Sequence, residues 1–160
     1  MEKIYIILVE DQREVLQAVA KDMEYFEDAF MIEECESAAE ALSLMENVDK
    51  KGNLVALVIS DHVMPDKSGV DFLIEINNDL RFQHTRKILL TGLATHQDTI
   101  RAINHAAIDK YYEKPWKSEA LIAGVKTLIT GFILEKGVDY RPYLPYLDPV
   151  VLFDSLRKMT

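Results

Sequence analysis

Leu54-Val55-Ala56-Leu57-Val58-Ile59-Ser60-Asp61 is a short, β-branched apolar run that ends in a carboxylate. It lacks the every-second polar residue of a half-exposed strand. It therefore reads as a strand buried on both faces, as in a parallel sheet covered by helices. Open sheets of this kind gather their ligands at the carboxyl ends of the strands. Asp61 stands at such an end, ahead of the loop His62-Val63-Met64-Pro65-Asp66-Lys67-Ser68-Gly69.

Three other segments stop in the same way. Ile4-Tyr5-Ile6-Ile7-Leu8-Val9 meets Glu10-Asp11, Lys87-Ile88-Leu89-Leu90 meets Thr91-Gly92, and Lys110-Tyr111-Tyr112-Glu113 meets Lys114-Pro115. A weaker strand spans 30–35. Between the strands, apolar residues recur at helical spacing: Leu16, Val19, Met23 and Phe26 in a helix over 13–28, and Ala41, Leu42 and Met45 in a helix over 38–48 capped by Ser37. Phe72, Leu73 and Ile76 mark a third helix over 70–80, and Ile100 and Ile103 a fourth over 97–106. Leu121, Val125, Leu128 and Phe132 mark a fifth over 118–136, closed by Gly137.

Five strands alternating with five helices predict an α/β, flavodoxin-like three-layer sandwich with a parallel sheet in the order 2-1-3-4-5, plus a C-terminal extension. In that order the first and third strands are neighbours, so Asp11 falls beside Asp61 and four strand ends share one edge.

The chain has 160 residues and a net charge of −9. That length suits one domain with a proper core, and that charge opposes direct binding to nucleic acid or an anionic membrane. The single cysteine, Cys35, reads as a buried reduced thiol. No apolar stretch approaches the roughly 20 residues that span a bilayer, and the expected location is the cytoplasm.

Val9-Glu10-Asp11, Ser60-Asp61-His62-Val63-Met64-Pro65 with Gly69, Leu90-Thr91-Gly92 and Tyr111-Tyr112-Glu113-Lys114-Pro115, in this order and spacing, resemble the receiver domain of bacterial two-component response regulators. The resemblance covers 3 to about 136 and divides the chain into a receiver, 1–137, and a Pro/Tyr-rich C-terminal extension or linker with a short helix, 138–160. It implies that Asp61 is the phosphoacceptor and that Glu10, Asp11, Asp61 and the Val63 backbone carbonyl hold Mg2+. It also implies that Thr91 and Lys114 contact the phosphoryl oxygens, that Thr91 and Tyr111 form a switch pair, and that the surface they bias is the fourth helix, fifth strand and fifth helix. Glu10 departs from the aspartate also frequent there.

The chemistry gives each role a reason. A carboxylate attacking phosphorus faces charge repulsion, so a divalent cation with oxygen ligands, an ammonium and a hydroxyl must neutralise and align the transferred group.

The implied function is a phosphorylation-activated switch in a phosphorelay, a signalling protein and not an enzyme beyond slow self-phosphorylation and self-dephosphorylation. Its implied partners are a sensor histidine kinase or phosphotransfer protein, an output domain beyond residue 160 or a separate effector, and a homodimer among the assemblies to test. The alternatives are a receiver-like interaction module not controlled by phosphorylation and an aspartyl-nucleophile phosphatase. The latter wants a second acid two residues after the nucleophile, where Val63 stands. The stretch from Leu89 through Leu93-Ala94 and Ile103-Asn104 to Trp116 resembles receivers joined to cyclic-dinucleotide or other enzymatic outputs, yet no catalytic signature of such an output is present. His62, His84, His96 and His105 lack metal-ligand spacing and read as surface or internally satisfied histidines, and Tyr112, one step out of phase with Tyr111, should face the opposite side of its strand.

In the tail, Tyr140, Tyr143 and Tyr146 recur every third residue among Pro142 and Pro145, which predicts polyproline II geometry with the rings along one edge. Asp148 as N-cap and Pro149 as first residue then open a short apolar helix. Two readings stand at this point: a linker to a further domain, or a segment that packs on a receiver or a second protomer.

Overall fold

In the computed structural model, which describes residues 1–92 and 95–159, β3 (Leu54–Asp61) is the centre of a five-stranded parallel sheet. It lies between β1 (Ile4–Val9) and β4 (Arg86–Leu90), with β2 (Met31–Cys35) beyond β1 and β5 (Lys110–Tyr112) beyond β4. The order is β2-β1-β3-β4-β5, as expected for the flavodoxin-like fold. Leu93 and Ala94 of the segment compared above lie outside the described residues.

Helices cover both faces, as right-handed crossovers require. On one face α1 (Arg13–Met23) and α5 (Ser118–Lys136) bury Leu16, Val19, Met23, Leu121, Val125 and Phe132 against Ile6, Leu8, Leu57, Ile59 and Leu90. On the other, α2 (Ala38–Lys50) and α3 (Gly69–Asn77) bury Ala41, Met45, Phe72, Leu73 and Ile76 against Ile7, Val9, Val55, Val58 and Leu89.

One irregularity sets the phase of the decisive strand. Tyr5 pairs with Val55 and Ile6 with Leu57, so Ala56 is an extra residue in β3. Because side chains alternate with period two, one inserted residue moves every later side chain of the strand to the other face. Leu57 and Ile59 thereby join the α1/α5 side.

Several boundaries differ from the sequence expectation. The first helix ends at Met23, five residues before Asp28, and a 3-10 turn over Glu24–Phe26 tightens the chain so that Phe26 enters the core. Ser37 caps α2, its side chain accepting from the Glu40 amide, but the helix continues to Lys50. α3 stops at Asn77 because Asp79 caps a separate 3-10 turn, Leu80–Phe82. The fourth helix is α-helical only over α4 (His96–Arg101) and continues as a π turn, Ala102–Ala106. Its buried residues are Ala102 and Ala106, while Ile100 and Ile103 are exposed.

The polyproline II expectation for the tail is corrected. Arg141–Tyr146 is a 3-10 helix. Both conformations have three residues per turn, and proline's fixed φ suits both, so sequence periodicity does not separate them. Packing does, since the shorter 3-10 rise lets Tyr143 sit 5.2 Å from the Phe30 ring while Tyr146 lies 6.3 Å from Phe26. Asp148 then caps α6 (Pro149–Lys158) and accepts from the Thr127 hydroxyl of α5 at 2.7 Å, while the Asp148 amide donates to Thr130 Oγ1 at 2.8 Å. The tail is thus fastened to α5 and to the aromatic cluster at the end of α1.

Candidate phosphoacceptor site

The register of the sheet assembles the site. Val9 pairs with Ser60 and Asp61 with Leu90, so the residues immediately after β1 and β4 come level with the end of β3. Oxygen atoms of Glu10, Asp11 and Asp61 lie within 4.8 Å of one another. Lys114, after β5, places Nζ 2.8 Å from Glu10 Oε1 and 2.9 Å from Asp61 Oδ1. The Lys114-Pro115 bond is cis.

Glu10 and Asp61 are buried, Asp11 is exposed. Burial, reinforced by the adjacent Asp61 carboxylate, pushes the Glu10 carboxyl up to about 7 against the pull of Lys114. For Lys114, burial works against the charged form, but contacts with Glu10 and Asp61 outweigh it and hold the ammonium protonated. Glu10 Oε2 is buried and has no hydrogen-bond partner among the described residues. An oxygen-only donor set with one buried oxygen left over is the chemistry of a hard cation site.

Thr91 is buried at the end of β4, where its amide donates to the Tyr112 carbonyl at 3.1 Å. Tyr111 packs toward the α2/α3 side and Tyr112 toward α5, so the two rings face opposite sides of β5 as alternation requires. Gly124 leaves room for the Tyr112 phenol, which a Cβ there would push aside.

The loop after Asp61 is held at several points. The Gly69 amide donates to the His62 carbonyl at 2.7 Å, and a Cβ on Gly69 would run into the Asp61 carbonyl. Asp66 reaches across to α2 and accepts from the amides of Ala38 (3.3 Å) and Ala39 (2.9 Å), where the helix N-terminus favours a carboxylate. Val63, whose backbone carbonyl was expected as a ligand, lies in this loop with its side chain exposed. Asp66 escaped the sequence reading, because an acid in a loop has no signal of its own until the helix it caps is placed beside it. Of the histidines, His62 is buried and bonded to Asp98 of α4, and His84 bonds Glu135.

The sequence model of the response regulator receiver domain matches residues 6–126. The chain belongs to this family. Among curated relatives, Response regulator Rre1 of Synechocystis sp. is 31% identical over 128 residues, which cover 80% of this chain and 52% of that protein. Hydrogenase transcriptional regulatory protein HoxA of Bradyrhizobium diazoefficiens is 28% identical over 120 residues, covering 72% of this chain and 23% of that protein. The chain therefore spans about a quarter to about half of the length of these relatives.

Among solved structures, the receiver domain of an HD domain-containing protein from Pseudomonas fluorescens superimposes with a TM-score of 0.74 at 25% identity, covering 87% of this chain and 96% of that one. A CheY-like receiver domain from Methanospirillum hungatei gives 0.71 at 25% identity, covering 84% and 99%. The receiver family is one of signalling switches in two-component systems and not of classical enzymes. Among the described residues of this receiver no helix is long and apolar enough to cross a membrane.

Proposed function

We propose that this receiver is a phosphorylation-activated switch of the cytoplasm, in which Asp61 accepts a phosphoryl group from the phosphohistidine of a sensor kinase or phosphotransfer protein. The observation that carries the reading is the approach of the Lys114 ammonium to Asp61 at 2.9 Å beside the Glu10 and Asp11 carboxylates. Asp61 supplies the attacking oxygen, and its bond to phosphorus forms as the donor's bond breaks. Lys114 neutralises the equatorial oxygens as a point charge, and the Thr91 hydroxyl bonds one of them. Glu10, Asp11, Asp61 and the Val63 carbonyl would hold Mg2+, which when bound offsets the repulsion between carboxylate and phosphoryl group.

Movement of Thr91 toward the new group frees space that the Tyr111 ring fills, converting a chemical event into a packing change at α4, β5 and α5. A kinase, an output domain or effector, and a second copy of the chain are the partners this surface serves. The relatives show that receivers occur with different outputs, HoxA being a transcriptional regulatory protein and one structural neighbour the receiver of an HD domain-containing protein, which supports a switch whose output lies outside the receiver itself.

The test is metal-dependent phosphorylation. With acetyl phosphate and Mg2+, intact mass should rise by one phosphoryl group in the wild type, little in Asp11→Ala, and not at all in EDTA. Equal modification in all three would remove the metal from the reading.

A further inference from the structure

We propose that His62 is a positioning residue that ties α4 to the phosphoacceptor loop through Asp98, giving the site a mechanical link to its switch surface in addition to Thr91. The transmission half of this proposal rests on the phosphorylation reading above; the tether itself does not.

The first turns of α4 are lightly packed. None of its residues His96–Arg101 is buried, and the π turn that follows buries only Ala102 and Ala106. A helix whose own six residues bury no side chain sits toward the low-stability end of a fold. The π turn is anchored on α3 through Ala102 and Ala106, and the first turns of α4 are placed by polar contacts. Among the described residues three of these reach it from the segment that follows β3. The His62 ring meets Asp98 with Nε2 3.2 Å from Oδ2, Arg101 pairs with Asp71, and Asn77 Nδ2 donates to the His105 carbonyl at 3.1 Å. They grip the helix at its first turn, its middle and its end.

The three are not equivalent. Arg101 and Asp71 are both about half exposed, at 45% and 54%, where an ion pair contributes little. The His62 side chain is 11% exposed. Asp98, an acceptor only, takes the Nε2 proton. Its Oδ2 also accepts from the Thr95 amide at 3.3 Å, and its own amide donates to Thr95 Oγ1 at 3.0 Å, which closes the capping box of α4. His62 therefore bonds the atom that defines where the helix begins. Its other nitrogen, Nδ1, is buried without a partner among the described residues, so Nε2 makes the ring's one polar contact among them. The backbone of His62 is pinned by the Gly69 amide, leaving the ring as the part free to carry displacement from Asp61, its immediate neighbour, to the helix.

Amide exchange of 95–106 in the full chain tests the tether without any phosphodonor. Replacing His62 by Leu, which keeps bulk and loses the donor, should speed exchange there about tenfold, whereas His62→Gln, whose amide N–H can reach the same carboxylate, should stay close to wild type. Asp71→Asn, which loosens only the exposed pair, should change it less than about twofold. Equal exchange in wild type and His62→Leu, or equal acceleration in the Leu and Gln variants, would overturn the tether. With acetyl phosphate and Mg2+ the Leu variant should gain the same mass as wild type but show a smaller phosphorylation-dependent change over 95–106; an undiminished change would overturn the transmission. A wild type that gains no mass would defeat the phosphorylation reading and the transmission with it, while the donor-free comparison would still decide the tether.

Discussion

Glu10 and Asp61 approach each other as two buried carboxylates bridged by one ammonium, with Lys114 Nζ 2.8 Å from the first and 2.9 Å from the second. Placing two acids of one sign side by side is unfavourable for the metal-free fold, and in the proposed function the same oxygens would hold the cation.

That conflict gives a pH dependence. The Glu10 carboxyl is raised from 4.5 to about 7 by burial and by Asp61. The native state therefore holds a proton that the unfolded chain releases across this window, and metal-free stability falls as pH rises through it and levels off above it. Glu10→Gln should raise the melting temperature in EDTA at pH 8, and the advantage should vanish below about pH 4.5, where both states are protonated. An advantage independent of pH would show that the carboxyl is not raised.

Gly69 is a second pressure point, since any side chain there meets the Asp61 carbonyl. Gly69→Ala should destabilise the fold by about 4 kcal/mol or displace the loop and suppress phosphorylation. Urea unfolding and intact mass together check this; normal values of both would mean that the loop yields freely.

Tyr143 is 6% exposed and packs on Phe30. Its replacement by Ala should lower stability by about 3 kcal/mol, as for other buried aromatics, and a chain ending at 137 should lose at least as much. A urea midpoint unchanged in both would mark 138–160 as a linker with no part in the receiver's stability.

Thr91→Ala should still acquire phosphate, through Asp61 and Lys114, but lose the phosphorylation-dependent change in amide exchange over β5 and α5 and show a reduced one over α4. A change as large as in wild type would place the coupling elsewhere.

The strands and the site were legible in the sequence for a common reason. Each of these buried strands is a contiguous apolar run, and Glu10, Asp61 and Thr91 stand at or just past its carboxyl end, so their gathering at one sheet edge is marked by position while their roles come from the receiver resemblance. What was not legible depends on partners distant in the chain. The extra residue at Ala56 is defined only by pairing with β1, and the His62–Asp98 contact joins residues 36 positions apart. The tail differs from the polyproline II expectation because its threefold tyrosine spacing fits two helices of equal period, and contacts distant in the chain, with Tyr25, Phe26 and Phe30, decide between them.

The most direct measurement of the central claim is the intact mass of wild type and Asp61→Asn after incubation with acetyl phosphate and Mg2+, followed by peptide mapping. Wild type should carry one phosphoryl group, confined to the peptide containing Asp61, and the variant none. The same modification on Asp61→Asn, or a phosphoryl group mapped to another residue of the wild type, would contradict Asp61 as the phosphoacceptor.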